Sequence, residues 1–238
     1  MKNKVVGKCQ LCGKNEELTF EHVPPKAAFN DKPVLVQKHE HMFNEKSYVY
    51  GKSMRSNQGA GSYSLCKLCN NNTGTWYARD FADFTQQGME NLDKLETVHR
   101  YNIAYFKIKP LNVLKQILTM FLSVDKSGYL QKDKKLVSYL LDKESNDLPE
   151  KYKVYLYNTL SDKSRMMGIQ WNNINNIFCT HSEISFNPFG YFLAVDSPPS
   201  RNDLTDITIF NKYKFNQEAN GKVNLVFLNI DTMFLGHY

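Results

Sequence analysis

The sequence predicts an α+β protein with a cysteine-rich N-terminal module at residues 1–99 and a C-terminal domain of two helices and an antiparallel β-sheet at 100–238. Three observations lead to this prediction. Two Cys-x-x-Cys doublets enclose a segment with two short β-prone runs, and an amphipathic helical pattern follows the second doublet. The composition changes near residue 100, where a new helical pattern begins. After Pro149 the pattern becomes a series of short β-prone runs separated by turn signals.

Two strands and a helix are predicted in the N-terminal module. Residues 18–22 are β-prone and end before two prolines, which remove a ladder donor and restrict the residue before them. A long loop is expected at 26–61, and loops of this length in a compact domain are usually functional. Residues 62–65 form the second strand, and the helix runs from about 70 to 87. Its apolar stripe consists of Trp76 or Tyr77, Phe81 and Phe84.

The C-terminal domain is predicted to begin with a strand at 103–109 and a helix that starts at Pro110, because proline fits the first turn of a helix. A shorter helix follows at about 132–141. The remaining β-prone runs, expected to form the antiparallel sheet, are 152–160, 165–171, 177–186, 191–195, 204–215 and 222–230.

The composition favours a soluble protein of a reducing compartment. The chain has 238 residues and 42% hydrophobic content, enough for a sizeable core. No apolar run approaches the roughly 20 residues of a membrane helix, and the charged start lacks the apolar stretch of a secretion signal. Five cysteines, four of them in doublets, fit metal binding better than a disulfide framework. We therefore expect a cytoplasmic protein without a membrane partner.

Positive charge is concentrated near the doublets. Residues 1–79 contain twelve basic and six acidic residues, whereas 80–99 contain one basic and five acidic residues. Residues 100–238 contain seventeen basic and thirteen acidic residues, so the first segment has the densest positive charge. A polyanion such as nucleic acid would be attracted there first. Lysines that merely solubilise a loop-rich module would explain this charge equally well.

The four paired cysteines predict a structural zinc site. Cys9, Cys12, Cys66 and Cys69 supply the four thiolates of a tetrahedral zinc ion, which leaves no open position for a substrate or water. About fifty residues separate the doublets, against roughly 15 to 20 in a simple zinc ribbon. We therefore expect the zinc to close a long loop around other functional residues. An incomplete or redox-active cysteine site is the alternative.

Between the two doublets, Glu21 and His22 are the side chains best suited to catalysis. Histidine suits a general base near neutral pH, because its ordinary pKa of about 6.5 leaves the imidazole neutral. A carboxylate and an asparagine carbonyl provide the hard oxygen ligands that magnesium prefers. Hydrolysis of a phosphodiester needs both a base for water and a cation for the developing charge.

Three motifs occur in the order that one nuclease family requires. They are Cys-x-x-Cys, then Leu-Thr-Phe-Glu-His-Val-Pro-Pro at 18–25, then Leu-Cys-Lys-Leu-Cys-Asn-Asn-Asn-Thr-Gly at 65–74. Over residues 5–90 the chain resembles the HNH endonucleases of the zinc-bound ββα-metal class. The resemblance implies two strands and a helix around one catalytic divalent ion, with His22 as the base. It also implies that Glu21 and Asn70 bind this ion, magnesium or another.

The chain departs from the family pattern at two positions. The family often has an asparagine about five residues before the second doublet, where it braces the loop that holds the histidine, but this chain has Gly61. Asn57 and Gln58 are the candidates to replace it. The other departure is Glu21, which stands where the family usually has an aspartate.

The resemblance implies a metal-dependent endonuclease that hydrolyses phosphodiester bonds, with nucleic acid as partner and DNA as the expected substrate. A catalytically inactive, zinc-stabilised module that binds nucleic acid or another partner is the first alternative, and an RNA-cleaving nuclease is the second. The C-terminal domain is expected to serve recognition, regulation or dimerisation, so a homodimer is one expected assembly.

Further candidates are weaker. Two loop histidines, His39 and His41, are expected to be solvated, and Cys179 is expected to be a buried core thiol. The candidate phosphate-binding cations are Lys26, Lys52, Arg55, Lys67 and Arg79.

Overall fold

The computed structural model describes residues 4–38, 40–174 and 177–230, so His39 lies outside the described residues. It shows a mixed α+β fold with antiparallel sheets, as predicted. The strands are β1 (Val6–Lys8), β2 (Asn15–His22), β3 (Val34–Val36), β4 (Met54–Ser56), β5 (Gly61–Cys66), β6 (Tyr101–Ile108), β7 (Tyr152–Asn158), β8 (Arg165–Ile174), β9 (Ile177–Phe186), β10 (Phe189–Val195), β11 (Thr205–Asp206) and β12 (Ala219–Val226). The α-helices are α1 (Glu40–Phe43), α2 (Lys67–Thr73), α3 (Arg79–Asp93), α4 (Pro110–Val124), α5 (Tyr129–Lys132) and α6 (Lys134–Leu141).

The N-terminal region is built on a small sheet with the order β1-β2-β5. β1 pairs only with residues 15–17 of β2, and β5 pairs with residues 18–22 from the other side. The Leu18 amide also donates to the Val5 carbonyl at 2.8 Å, so beyond residue 18 the described part of the chain pairs no strand with the second edge of β2. Both strands lie where the sequence predicts them.

The predicted helix after the second doublet is present and longer than expected. It begins at Lys67, passes through a π-helical turn at Gly74–Ala78 and continues as α3. The side chains of Tyr77, Phe81 and Phe84 are buried, so Tyr77 and not Trp76 begins the apolar stripe.

The expected loop at 26–61 contains regular structure that the sequence does not predict. β3 and β4 form a separate antiparallel pair, and the single turn α1 lies between them. The short apolar run of β3 pairs with the equally short β4, so neither shows a readable periodicity on its own.

The C-terminal region contains a five-stranded sheet with the order β11-β7-β10-β9-β8 beside the helix α4. All but the last of the fifteen residues of α4 are buried. β6 and β12 form a separate two-stranded sheet. Side-chain amides of α3 bond to the backbone of β6: Gln87 bonds to Lys107 twice at 2.8 Å, and Asn91 bonds to Tyr105 at 3.0 and 3.3 Å. These bonds occupy an edge of β6 that another strand would otherwise pair with.

Two predicted elements in this region are wrong in extent. The strand expected at 204–215 is limited to Thr205–Asp206, and a 3₁₀-helix follows at Thr208–Lys212. The Asp206 carboxylate accepts a hydrogen bond from the Thr208 amide at 2.7 Å, which starts the turn. The shorter helix is divided at Asp133, whose side chain accepts from the amides of Lys135 and Leu136 and caps α6.

One buried apolar cluster includes residues from both halves of the chain, among them Cys9, Leu65, Leu111 and Phe189. The rings of Phe84 and Phe189 stack with centroids 4.7 Å apart. The two halves therefore share a core, and the boundary near residue 100 stays a prediction. None of the helices in the described ranges has the length and apolar character needed to cross a bilayer.

Candidate functional site

The four paired cysteines form one compact cluster between β1, β5 and α2. Their sulfur atoms all lie within 4.8 Å of one another. Cys9 and Cys12 belong to the turn after β1, which the Gly13 amide closes with a 2.9 Å bond to the Cys9 carbonyl. Cys66 ends β5, and Cys69 lies in the first turn of α2. The prediction that these residues come together is confirmed.

The geometry of the cluster fits a structural zinc ion. With zinc–sulfur bonds of about 2.3 Å, the sulfurs of a tetrahedral site lie about 3.8 Å apart. Cys12 Sγ and Cys66 Sγ are 3.8 Å apart. Four thiolate ligands would fill the tetrahedron, so such an ion would hold the elements together and would not itself bind a substrate.

The sulfurs also influence one another's protonation. A hydrogen bond from the Cys69 thiol lowers the pKa of Cys9 to about 4, and the same bond raises the pKa of Cys69. The Cys66 amide donates to the Cys9 sulfur at 3.3 Å, which further favours the thiolate there. Four sulfurs this close together cannot all be deprotonated unless a cation takes the place of the protons. Cysteine clusters that bind metal ions behave in this way.

Asn70 joins the start of α2 to β2. Its side-chain nitrogen Nδ2 donates to the Thr19 hydroxyl at 2.9 Å and to the Phe20 carbonyl at 3.3 Å. Because the amide nitrogen is used in this way, the side-chain carbonyl is the atom that remains suitable for a cation. Asn70 therefore lies beside the strand residues that directly precede Glu21.

Glu21 is a buried carboxyl group near the end of β2. Its side chain is 8% exposed, and burial raises its pKa to about 8. A carboxyl group desolvated in this way gains more from a nearby cation than an exposed one does, because water no longer stabilises its charge. This environment is compatible with a metal ligand, and it is equally the environment of a protonated core residue.

His22 ends β2 and is partly exposed. Burial lowers the pKa of the ring, a hydrogen bond to the Gln58 backbone carbonyl raises it, and the charge of Lys26 lowers it, with a net decrease. The ring also packs against Phe20 with centroids 5.0 Å apart. Because the net shift is downward, the ring is mainly neutral near pH 7.

Glu21 and His22 lie on opposite faces of β2, as alternation along a strand requires. His22 shares its face with Phe20, whereas Thr19, the residue that Asn70 contacts, is on the Glu21 face. The sequence predicts that these residues act together at a strand end, and their joint action stays a prediction.

Asn30 is a structural residue of this site that the sequence analysis does not identify. It is 1% exposed, donates to the carbonyls of Pro24 and Ala60 at 2.7 Å and accepts from the Ala60 amide at 2.7 Å. It therefore fastens the segment that follows His22 to the segment that precedes β5. The signal in the sequence is weak, since Asn30 lies in a long loop without periodicity.

Gly61 occupies its position for a steric reason. Its φ is +154°, and a Cβ there would collide with the Glu21 carbonyl oxygen. A side chain at this position would separate β5 from β2, which explains why no asparagine stands there. The two candidates to replace that asparagine act otherwise: Gln58 contributes its backbone carbonyl, and Asn57 accepts from Arg55 at 3.0 Å.

A second metal site does not emerge from the clusters of ionisable side chains. Within residues 4–38, 40–174 and 177–230, the four cysteines are the one group of three or more His, Cys, Asp or Glu side chains arranged to hold an ion. Binding of a catalytic ion by Glu21 and Asn70 therefore stays a prediction. Of the candidate phosphate-binding cations, Lys26 is the one whose charge acts on His22.

Comparison of the chain with protein-family models, with curated proteins and with solved structures gave no match.

Proposed function

We propose that this protein is a zinc-stabilised, metal-dependent endonuclease of the HNH type that cleaves DNA. The observation that supports the proposal best is the contact of Asn70 with β2 beside the cysteine cluster, directly before Glu21 and His22. The cysteines link β1, β5 and α2; Asn70 lies on α2, and Glu21 and His22 lie on β2, which pairs between β1 and β5.

The proposed reaction is attack of water on phosphorus with departure of the 3′ oxygen. In an in-line displacement the attacking and leaving oxygens lie on opposite sides of phosphorus, so the base and the cation need not be adjacent. The opposite orientation of His22 and Glu21 is compatible with this requirement. The substrate phosphate would approach the unpaired edge of β2 to reach both.

His22 would accept a proton from the attacking water on its neutral imidazole ring. Lys26, whose positive charge acts on His22, would attract the scissile phosphate. A divalent ion bound by Glu21 and the Asn70 carbonyl would neutralise charge on the leaving oxygen. These roles are those that the family resemblance assigns, and the local environments of the side chains are compatible with them.

Cleavage of supercoiled plasmid DNA in magnesium tests the proposal. We expect His22→Ala to reduce the nicking rate by about 10²- to 10⁴-fold, the usual contribution of a general base. The matched control is His41→Ala, because His41 is a partly buried histidine of the same region whose Nδ1 bonds to the Lys52 carbonyl at 2.9 Å. Equal nicking by wild type and His22→Ala would overturn the proposal.

The two alternative functions give different results in the same assay. An RNA-cleaving enzyme would degrade structured RNA but not plasmid, and this activity would also depend on His22. A module that only binds nucleic acid would retain DNA without nicking it in magnesium, manganese or zinc. The raised pKa of Glu21 favours the binding module, because a buried carboxyl group without a cation stays protonated.

A further inference from the structure

A lysine-rich cleft lies in the C-terminal region, outside the proposed active site. It has a volume of about 710 Å³ and is lined by α5, the start of α6 and the segment before β7. Four lysines line it, Lys132, Lys134, Lys135 and Lys151, against the two acids Asp133 and Glu150. The cleft therefore has an excess of positive charge.

The charge of Asp133 is already used within the protein. Its carboxylate accepts from the Tyr152 hydroxyl at 2.8 Å, pairs with Lys151 at 2.7 Å and caps α6. Lys151 is therefore already paired with Asp133. In the part of the chain that the structure describes, Lys132, Lys134 and Lys135 form no ion pair, and all three are exposed. These three side chains are therefore available to an external anion.

An aromatic pair stands at one end of the cleft. Tyr129 lines the cleft, and the exposed Trp171 packs edge-on against it with ring centroids 5.8 Å apart. Single-strand-binding grooves combine such cations with rings that stack on bases. At a duplex, whose bases stack on one another, the lysines would meet phosphates and the rings only the sugar-phosphate backbone.

The helix α5, which lines the cleft, packs against the turn of the first cysteine doublet. Gly13, in the turn that contains Cys9 and Cys12, packs directly on the Gln131 side chain, where any Cβ would collide with the amide. Gln131 belongs to α5, the helix that lines the cleft with Tyr129 and Lys132. The exposed Lys14 lies in the same cysteine turn. Lys14 thus adds one exposed positive charge to the turn against which α5 packs.

The cysteine turn and His22 lie at opposite ends of β2. The eight residues of β2 span about 23 Å at roughly 3.3 Å per residue. This length corresponds to about seven base pairs of duplex DNA at 3.4 Å each. A duplex that runs along β2 with its scissile phosphate at His22 would therefore reach the cysteine turn, against which α5 packs, after about seven base pairs.

We propose that this cleft binds the phosphate backbone of the DNA that flanks the cleavage site, through Lys132, Lys134 and Lys135. The inference rests on the proposed nuclease function for its substrate, but it concerns binding and not cleavage. Lysine contacts to phosphate carry no sequence information, so this surface contributes affinity and positions the substrate without selecting it.

Fluorescence polarisation with a labelled 30-base-pair duplex tests the inference, in His22→Ala protein without added magnesium. Replacement of Lys132, Lys134 and Lys135 by Gln is expected to weaken binding about tenfold or more and to lower the slope of log Kd against log salt by about 3. The control carries Lys94→Gln, Lys107→Gln and Lys222→Gln, three exposed lysines on or beside elements that do not line the cleft. This variant loses the same charge and should bind within about twofold of the parent, since distant charges are screened.

Equal affinity and salt dependence of the two triple variants would overturn the inference. Far-ultraviolet circular dichroism and zinc content, unchanged in both variants, exclude unfolding as the cause of weaker binding. The fluorescence of Trp171 in Trp76→Phe protein is a second readout and should change on addition of DNA. A wild-type protein that binds DNA through the three lysines but never nicks it would support the cleft and overturn the nuclease proposal, so the two failures are distinguishable.

Discussion

The β1-β2-β5 sheet and the five-stranded sheet are held in place by different means. Two of the eight residues of β2 are buried, whereas all seven residues of β10 are buried. The central strand of the larger sheet is enclosed by apolar packing, which needs no further ligand. The smaller sheet has short strands with exposed edges, so the cysteine cluster and single polar residues must hold its ends. Residues with accessible chemistry, such as His22, lie in this less enclosed region.

The buried polar groups of the two regions differ in the same way. In the C-terminal sheet, Glu183 binds Arg165 at 2.5 Å and accepts from the Tyr157 hydroxyl at 2.6 Å, and the charged pair has no solvent exposure. Glu21 is buried without such an ion pair among the described residues. A buried carboxylate that is paired with a cation stabilises the fold. A buried carboxylate without such a partner is suited to bind a metal ion. This contrast distinguishes a structural carboxylate from a candidate ligand.

Loss of a zinc ligand should give the largest effect. Cys66→Ala removes one of four ligands, and structural zinc contributes on the order of 10 kcal/mol to small zinc domains. We expect zinc content to fall from one ion per chain to near zero. Amides of β2, β5 and α2 should exchange with deuterium much faster, whereas those of β7, β9 and β10 should remain protected.

The matched control is Cys179→Ala, a buried cysteine of β9 outside the cluster. It should keep one zinc per chain and lose only the packing of its sulfur. A Cys66→Ala protein that retains full zinc content and unchanged exchange in β2 would contradict the assigned role of the cluster.

Breaking the buried ion pair between Arg165 and Glu183 in the C-terminal sheet should have the next largest effect on stability. Glu183→Ala leaves Arg165 buried without this carboxylate, and uncompensated buried charges cost about 3–5 kcal/mol. Urea unfolding should show this loss while zinc content stays at one ion per chain. Replacing both members, Arg165→Met with Glu183→Leu, should recover most of the stability. If Glu183→Ala alone lowers the free energy of unfolding by less than about 1 kcal/mol, this pair does not stabilise the sheet.

Asn30→Ala should lower both stability and activity. It leaves the Pro24 carbonyl and the Ala60 amide and carbonyl without Asn30 as their partner, at a cost of about 2–3 kcal/mol. Because these bonds hold the segment after His22, plasmid nicking should fall about 10- to 100-fold with zinc content unchanged. Asn57→Ala is the control, and its exposed bond to Arg55 should contribute little to either measurement. Equal nicking by both variants would exclude Asn30 as a positioning residue.

The features that the sequence predicts correctly are those encoded in short, local patterns. The doublets, the strand end before Pro24 and the helix with Phe81 and Phe84 each lie within a few residues of their own signal. Asn30 was missed because its partner Ala60 is thirty residues away, and no local pattern links the two. The strand expected at 204–215 failed because hydrogen bonds of Asp206 and Thr208 favour a turn over the apparent alternation. Local hydrogen bonds of two side chains thus override an alternating pattern that would otherwise favour a strand.

The smallest predicted effect is a dependence on pH that belongs to the C-terminal sheet. His181 is 1% exposed, its Nε2 contacts the Asn172 amide at 3.2 Å, and burial lowers its pKa to about 4. Between pH 6.5 and 4 the unfolded chain binds this proton and the folded chain does not, so stability falls as the pH decreases. From pH 7 to 5 this contribution amounts to about 2 kcal/mol. In urea titrations at pH 7 and pH 5, the free energy of unfolding of His181→Asn should therefore decrease by about 2 kcal/mol less than that of wild type. His99→Asn, which changes an exposed histidine, should show the full decrease. A His181→Asn protein with the full wild-type decrease would place the acid sensitivity elsewhere, in carboxylates that both variants share.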